Sequence, residues 1–216
     1  MEVTSEQLLT AFTETLYMVT WSLLFACLIG IPLGVLLVVT RKGHILQNTV
    51  IFNILNPIIN ILRSVPFIIL LVALIPVTRF IVDSSIGVKA AIVPLVFYAG
   101  PYIARLVENS LLEVDQGIIE AAQAMGANAW QIIWRFMLPE GLSSLILTLT
   151  TATIGLVGAT AMAGVVGAGG IGNLAITYGY QRYDNITMLV TVIILVVIVQ
   201  SVQSLGNFIS RKIRRR

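Results

Sequence analysis

The sequence predicts an all-α integral membrane protein with five transmembrane helices and one long cytoplasmic loop of two short helices. Three observations predict it. Hydrophobic residues make up 57% of the 216-residue chain. Charged residues make up 11%, whereas a soluble domain carries about 25%. The apolar residues also fall in runs close to the about 20 residues that a bilayer requires. The mean hydropathy of +0.96 points the same way. So little charge could not keep a soluble surface from aggregating.

The first span is the clearest, because no charged residue occurs between Glu14 and Arg41. A signal peptide does not fit it: Glu2, Glu6 and Glu14 precede the run, no Lys or Arg does, and the run is too long. Lipoprotein cleavage at Cys27 fails because the run continues through Val39. The second span, Pro57 to Val77, contains Arg63 and follows an amphipathic stretch from about Leu46. The third runs from about Ile86 to Val107, with Lys89 and Arg105 near its ends, where both can snorkel to the interfaces. No charge occurs between Glu140 and Arg182. That stretch is too long for one span, so it divides into a fourth helix from about Leu142 to Val165 and an irregular glycine-rich loop. The fifth span runs from Asn185 to about Phe208.

Charge sets the orientation. Five of the 13 Lys and Arg residues are Arg211, Lys212, Arg214, Arg215 and Arg216. Without them the chain is net acidic. A basic tail directly after an apolar segment fits a cytoplasmic anchor near anionic lipid and argues against a nucleic-acid partner. With the N-terminus outside, the cytoplasmic segments hold Arg41, Lys42, Arg105, Arg135 and the tail, the external ones hold Arg79, Lys89 and Arg182, and Arg63 is uncommitted. The C-terminus is then cytoplasmic. Residues 1–216 read as a single transmembrane domain, with the cytoplasmic loop at about 108–140. The single cysteine excludes an internal disulfide framework and a cysteine-based zinc site.

Within the loop, Asp115 can cap a first helix whose Ile118, Ile119, Ala122 and Met125 share one face. Gly126 is a left-handed stop. Asn128 with Gln131 resembles a capping box for a second helix, Ile132, Ile133, Phe136 and Met137 give that helix an apolar face, and Pro139 prevents its continuation. Glu120, Ala121 and Ala124 face away from the first apolar stripe. They read either as a plain surface hairpin or as a place where another protein approaches closely.

A polar stripe of Asn53, Asn56, Asn60 and Arg63, with Ser64 beside it, marks the second span. Polar groups at membrane depth face a cavity or another helix, and both readings stand. The run Gly167-Ala168-Gly169-Gly170-Ile171-Gly172 has dinucleotide-binding spacing, but no strand–turn–helix context surrounds it. A hinge or close backbone packing accounts for Gly167, Gly169, Gly170 and Gly172 better. His44, the only histidine, reads as a solvated loop residue. No catalytic or metal-ligating constellation is present, and no phosphate-binding G-x-x-x-x-G-K-[ST] loop.

The run Glu120-Ala121-Ala122, then Gly126, then Leu138-Pro139 resembles the signature loop of bacterial ABC-importer permeases, with Phe136 where that pattern has isoleucine. Arg63 to Leu71, Ala104 to Asn109 and Val166 to Gly172 are similar to the methionine-importer permeases within that family. The resemblance implies a type I ABC importer permease in the bacterial inner membrane. Its partners would be a second copy of itself, two cytoplasmic ABC ATPase subunits, membrane lipid and an external methionine-binding lipoprotein. ATP and Mg would belong to the ATPase, so this chain would carry no cofactor and no enzyme activity. The six signature residues would couple it to the ATPase. Asn56, Asn60, Ser64 and Met162 would line a path on the two-fold axis, opened by alternating access. The alternatives are a permease for another small amino acid or sulfur compound, a polytopic membrane enzyme, or a non-catalytic assembly protein.

Overall fold

In the computed structural model, which describes residues 3–214, every regular element among the described residues is helical. Glu2, Arg215 and Arg216, which entered the charge reading, lie outside the described residues. Helix α1 spans Ser5–Thr40 and starts on a capping box. The Thr4 hydroxyl accepts from the Gln7 N–H, and the Gln7 side chain accepts from the Thr4 N–H. Its 36 residues give a length of about 54 Å, beyond the about 30 Å of the hydrocarbon layer.

Helix α5, Val88–Leu112, crosses α1 at very short range. A Cβ added at Gly30 would fall 2.6 Å from the Gly100 carbonyl oxygen, and one at Gly34 would fall 2.6 Å from that of Ala104. The hydrophobic effect does not drive helices together in lipid. Small residues four apart do it instead, by letting the backbones touch. Met18, Leu95, Ile103, Val107 and Leu156 fill the core around this crossing, the last from α8, Leu138–Gly164. Helix α10, Asn185–Arg214, lies against α8 through small and polar groups. Gly206 abuts Thr150, and the Ser143 and Ser210 hydroxyls are 2.8 Å apart. Its Leu189, Val192, Ile193 and Val196 remain exposed, as a lipid-facing surface would.

Among the described residues four helices are long and apolar enough to cross a membrane, and a bent pair makes up to five. That pair corrects the expected second span. Helix α2 is Thr49–Ser64 and α3 is Phe67–Ala73, and the two are bent by 100°. Pro57, expected at the start of the span, lies inside α2. The break comes at Pro66, which forces the preceding Val65 out of helical conformation, to φ −79° and ψ 123°. A short α4, Ile75–Val82, follows and ends on left-handed Asp83.

The long loop forms α6, Gln116–Ala124, and α7, Ala129–Ile132. The Asp115 carboxylate accepts from the Gly117 N–H at 2.7 Å, Gly126 has φ +82°, and Asn128 and Gln131 complete their capping box. Pro139 does not stop the second helix. A π-helical stretch, Ile133–Met137, joins α7 directly to α8, with the Leu138 N–H donating to the Ile133 carbonyl. The wider turn absorbs the proline that an unbroken α-helical ladder would exclude.

The expected irregular loop after Val165 is shorter than the sequence suggests. After a tight turn the chain re-enters helix as α9, Gly170–Leu174, and a π-helical stretch, Ala175–Tyr180. The Gly87 N–H donates to the Gly167 carbonyl at 3.1 Å, so the start of α5 and the end of α8 share one end of the bundle, the glycine-turn end. The segment carrying α6 and α7 marks the other, the loop end. Helix α10 continues past Phe208, so Arg211, Lys212 and Arg214 lie on its last turns.

Candidate functional site

At the loop end, α6 is seated by Ile119 and Ala122, both buried against the core that includes Ile132, Ile133 and Met137. Its opposite face carries Glu120, Ala121 and Ala124, all exposed. The signature residues therefore divide. Glu120 and Ala121 face outward, Ala122 is a seat, Gly126 makes the turn, and half-buried Leu138 and exposed Pro139 begin α8. Met125 departs from the expected apolar face: it caps the helix and is 72% exposed.

Two further features adjoin this face. His44 is half-buried, and with Gly43 and Ile45 it forms one wall of a groove whose other wall is Gln116, Ile119, Glu120 and Gln123. Burial, and then the positive charge of Arg41, lower the His44 pKa from its ordinary value. The histidine is thus partly shielded, not the solvated loop residue that its sequence context suggests. Trp130 and Trp134 form an exposed pair with ring centroids 5.3 Å apart. Their i, i+4 spacing, outside the apolar stripe of the second loop helix, is the sequence signal for this pair.

The polar stripe finds a partner helix. Arg105 on α5 donates through Nη2 to Oδ1 of Asn56 at 2.7 Å and of Asn60 at 2.8 Å. Its Nη1 donates to Oε2 of Glu108, a carboxylate only 1% exposed. Arg41, the residue after α1, brings Nη1 to 3.7 Å from Oε1 of the same carboxylate. Arg105 thus turns inward instead of snorkelling, and for Asn56 and Asn60 the helix–helix reading describes the geometry. The signal was the Arg105–Glu108 spacing of three on an apolar helix. Ser64 donates to the Asn60 carbonyl at 2.8 Å, and the Arg63 guanidinium lies 5.9 Å from the Tyr102 ring centroid. Asn53 and Ser64 are exposed.

Met162, 53% exposed, sits two residues before the end of α8 at the glycine-turn end. Arg105 lies seven residues before the end of α5, on the loop side. Asn56, Asn60, Ser64 and Met162 are therefore spread along the bundle axis, not gathered at one point.

The glycine turn is tightly held. Gly167, Gly169 and Gly170 all have positive φ, a conformation that side chains with a Cβ resist. The Gly170 N–H donates to Oε2 of Glu14 at 2.7 Å, and the Ile171 N–H to the Thr15 hydroxyl at 2.9 Å. These two α1 side chains satisfy the first free N–H groups of α9. A Cβ at Gly172 would fall 2.4 Å from the Ala161 Cα. Of the two expectations for these glycines, close packing is what the contacts describe. Among the described residues no group of three or more His, Cys, Asp or Glu side chains could hold a metal ion.

A bundle of membrane-length helices with one broken span, and an amphipathic loop helix presenting a Glu-Ala face, is a polytopic membrane architecture with an exposed loop surface. Residues 30–215 match the family of binding-protein-dependent transport system inner membrane components. The chain belongs to that family, the inner-membrane permeases of ABC importers. It is similar to the probable D-methionine transport system permease protein MetI of Vibrio cholerae, 48% identical across 97% of this chain and 93% of the relative. The corresponding protein of Haemophilus influenzae is 48% identical across 94% and 96%. Among solved structures, one chain from the inward-facing conformations of the MetNI methionine ABC transporter aligns with a TM-score of 0.96 at 47% identity, covering 99% of both chains. An amino acid ABC transporter with a TM-score of 0.78 and 17% identity shares the fold alone.

Proposed function

We propose that this chain is the permease of a methionine importer in a bacterial inner membrane. The observation that carries the reading is the likeness to the MetNI chain, 47% identical across 99% of both chains with a TM-score of 0.96. Residues 1–216 act as one transmembrane domain with the N-terminus outside and the C-terminus in the cytoplasm, as the excess of Lys and Arg on the loop side favours. Two copies place a path on their shared axis. Each copy seats α6 in one of two ATPase subunits, which hold ATP and Mg, and an external lipoprotein delivers the solute.

Coupling runs through Glu120 and Ala121 at the contact. Ala122, Gly126, Leu138 and Pro139 fix the angle at which α6 is presented. The path follows the Asn56, Asn60 and Ser64 face of α2 and passes Met162. With their Oδ1 atoms held by Arg105, Asn56 and Asn60 keep their amide N–H groups for the carboxylate of a zwitterion, the Ser64 hydroxyl can still accept from its ammonium, and the thioether of Met162 offers soft apolar contact. The turn of Gly167, Gly169, Gly170 and Gly172 is a fixed pivot for α8 and α9. The test is to reconstitute the chain with its ATPase and the binding protein encoded beside it, then follow labelled methionine. ATP-dependent methionine accumulation supports the reading. Accumulation of another small amino acid or sulfur compound instead would replace methionine and leave the permease role standing.

A further inference from the structure

We propose that Arg105 is a positioning residue for transport, a latch that ties the broken second span to α5 and that must open and close in each cycle. The proposal rests on the reading of α2 as path-lining, and goes beyond it by naming what holds α2 in place. Apolar packing does part of this: Ile59, the only buried residue of α2, packs with Leu37 and Ala104, and partly buried Phe52 and Leu55 lie against them. Burial from water gives no driving force in lipid, so packing and polar bonds share the attachment, and the polar bonds carry its directional part. Asn56 and Asn60 are one helical turn apart, and the two hydrogens of one Arg105 nitrogen reach both. A planar guanidinium is suited to such a two-point grip, and an ammonium is not.

Glu108 aims the grip. Buried and bonded to Nη1, it fixes the guanidinium plane, and its other oxygen faces Arg41 at the end of α1. One carboxylate thereby links α1, α5 and, through Arg105, α2. Only residues 113–115 separate α5 from α6, so a displacement of the loop helix pulls on the turn of α5 that carries Glu108 and Arg105. On the other side, the 100° break after Ser64 lets α2 move without carrying α3 rigidly along. The latch sits between the part that is pushed and the part that must yield. Arg105 Nε and Glu108 Oε1 make no hydrogen bond within the chain. Glu108 Oε1 keeps its ion pair to Arg41.

A static ion pair would make every alteration harmful in the same sense. A latch makes weakening and strengthening act in opposite senses. The experiment uses the assembled transporter with its ATPase in proteoliposomes. It compares Asn56→Ala/Asn60→Ala, Asn60→Asp and Arg105→Lys for ATP hydrolysed per solute moved and for spin-label distances between the two copies of α2. The double alanine variant should raise ATP hydrolysed per solute about three- to tenfold, because a charge-assisted contact has been lost. Asn60→Asp places a carboxylate opposite Arg105 and should slow transport, keep the ratio, and sharpen the distance distribution around the resting value. Arg105→Lys should resemble the double alanine variant, because one ammonium does not span both asparagines in this geometry. If all variants keep the wild-type ratio and distances, or if all lose transport only in proportion to assembled protein, Arg105 is a structural pair and the proposal is overturned. Should the double alanine variant not assemble, Asn60→Asp decides alone, with unchanged distances and rate overturning the latch. A failure of the methionine assignment is separate: the wild type would not move methionine, while the ATPase and distance readouts would still report the latch.

Discussion

Glu120 stands on the exposed face of α6 while its neighbour Ala122 is fully buried, so a change at 120 alters the outer surface without unseating the helix. Charge inversion at a docking contact costs several kcal/mol, and about 1.4 kcal/mol is a factor of ten. Glu120→Lys should therefore reduce uptake by at least about tenfold while leaving the amount of inserted, dimeric permease unchanged. Uptake assays beside size-exclusion profiles check this, and normal uptake would remove Glu120 from the contact. His44, across the groove, carries a pH dependence. Its folded pKa is depressed, first by burial and then by Arg41, so the unfolded loop binds the proton more readily. The stability His44 contributes is complete above its ordinary value and declines as pH falls through that value towards the lowered one. Amides of residues 43–47 should lose exchange protection, corrected for intrinsic rates, below pH about 6, and His44→Gln should abolish that trend. A flat profile in the wild type would show that the groove does not depend on the neutral imidazole.

The glycine turn and the broken span are the elements on which the architecture turns. At Gly169 φ is +86°, and an added Cβ would fall 2.7 Å from the Glu14 carboxylate oxygen. Gly169→Val should thus combine backbone strain with displacement of the cap on α9, costing about 1–3 kcal/mol. Transport should fall well below that of a Val196→Leu control on the exposed side of α10. Equal effects in the two variants would make the turn a passive connector. Much of this level was legible in the sequence because its causes are local. Asp115, Gly126 and the Asn128–Gln131 box act within a few residues, and the structure places each as its chemistry dictates. The break at Val65-Pro66 is equally local, but averaging hydropathy across Pro57 to Val77 concealed it. Pro139 was misjudged because a π-helical turn can absorb a proline, and nothing in the residue pattern announces one. The Arg105 cluster and the Gly30 and Gly34 crossing with α5 depend on which helices meet, and hydropathy does not encode that.

Across the whole molecule the proposed path would run along the bundle, so its residues should report as a set. Single cysteines at Asn60, Ser64 and Met162 in a Cys27→Ser background should react with a hydrophilic thiol reagent at rates that change with ATP, and solute should slow the reaction. If all three stay unlabelled in every nucleotide state while transport is normal, the path lies elsewhere. Low burial of α10 and the exposed apolar faces of α2 leave ample surface for lipid and a second copy. Membership of the family was legible because its signature falls within one stretch, residues 120–139, at fixed spacing. The distribution of the path residues along the axis was not, because equal polarity says nothing of depth. The carboxylate of Glu14 meets the Gly170 N–H across 156 positions of chain. At about 5–20 residues per second of synthesis, the first span emerges about 8–30 s before its cap partner exists. During that interval Glu14 must be kept hydrated or held by the insertion machinery. A nascent chain arrested before the glycine turn would therefore leave the Glu14 carboxylate without its α9 partner.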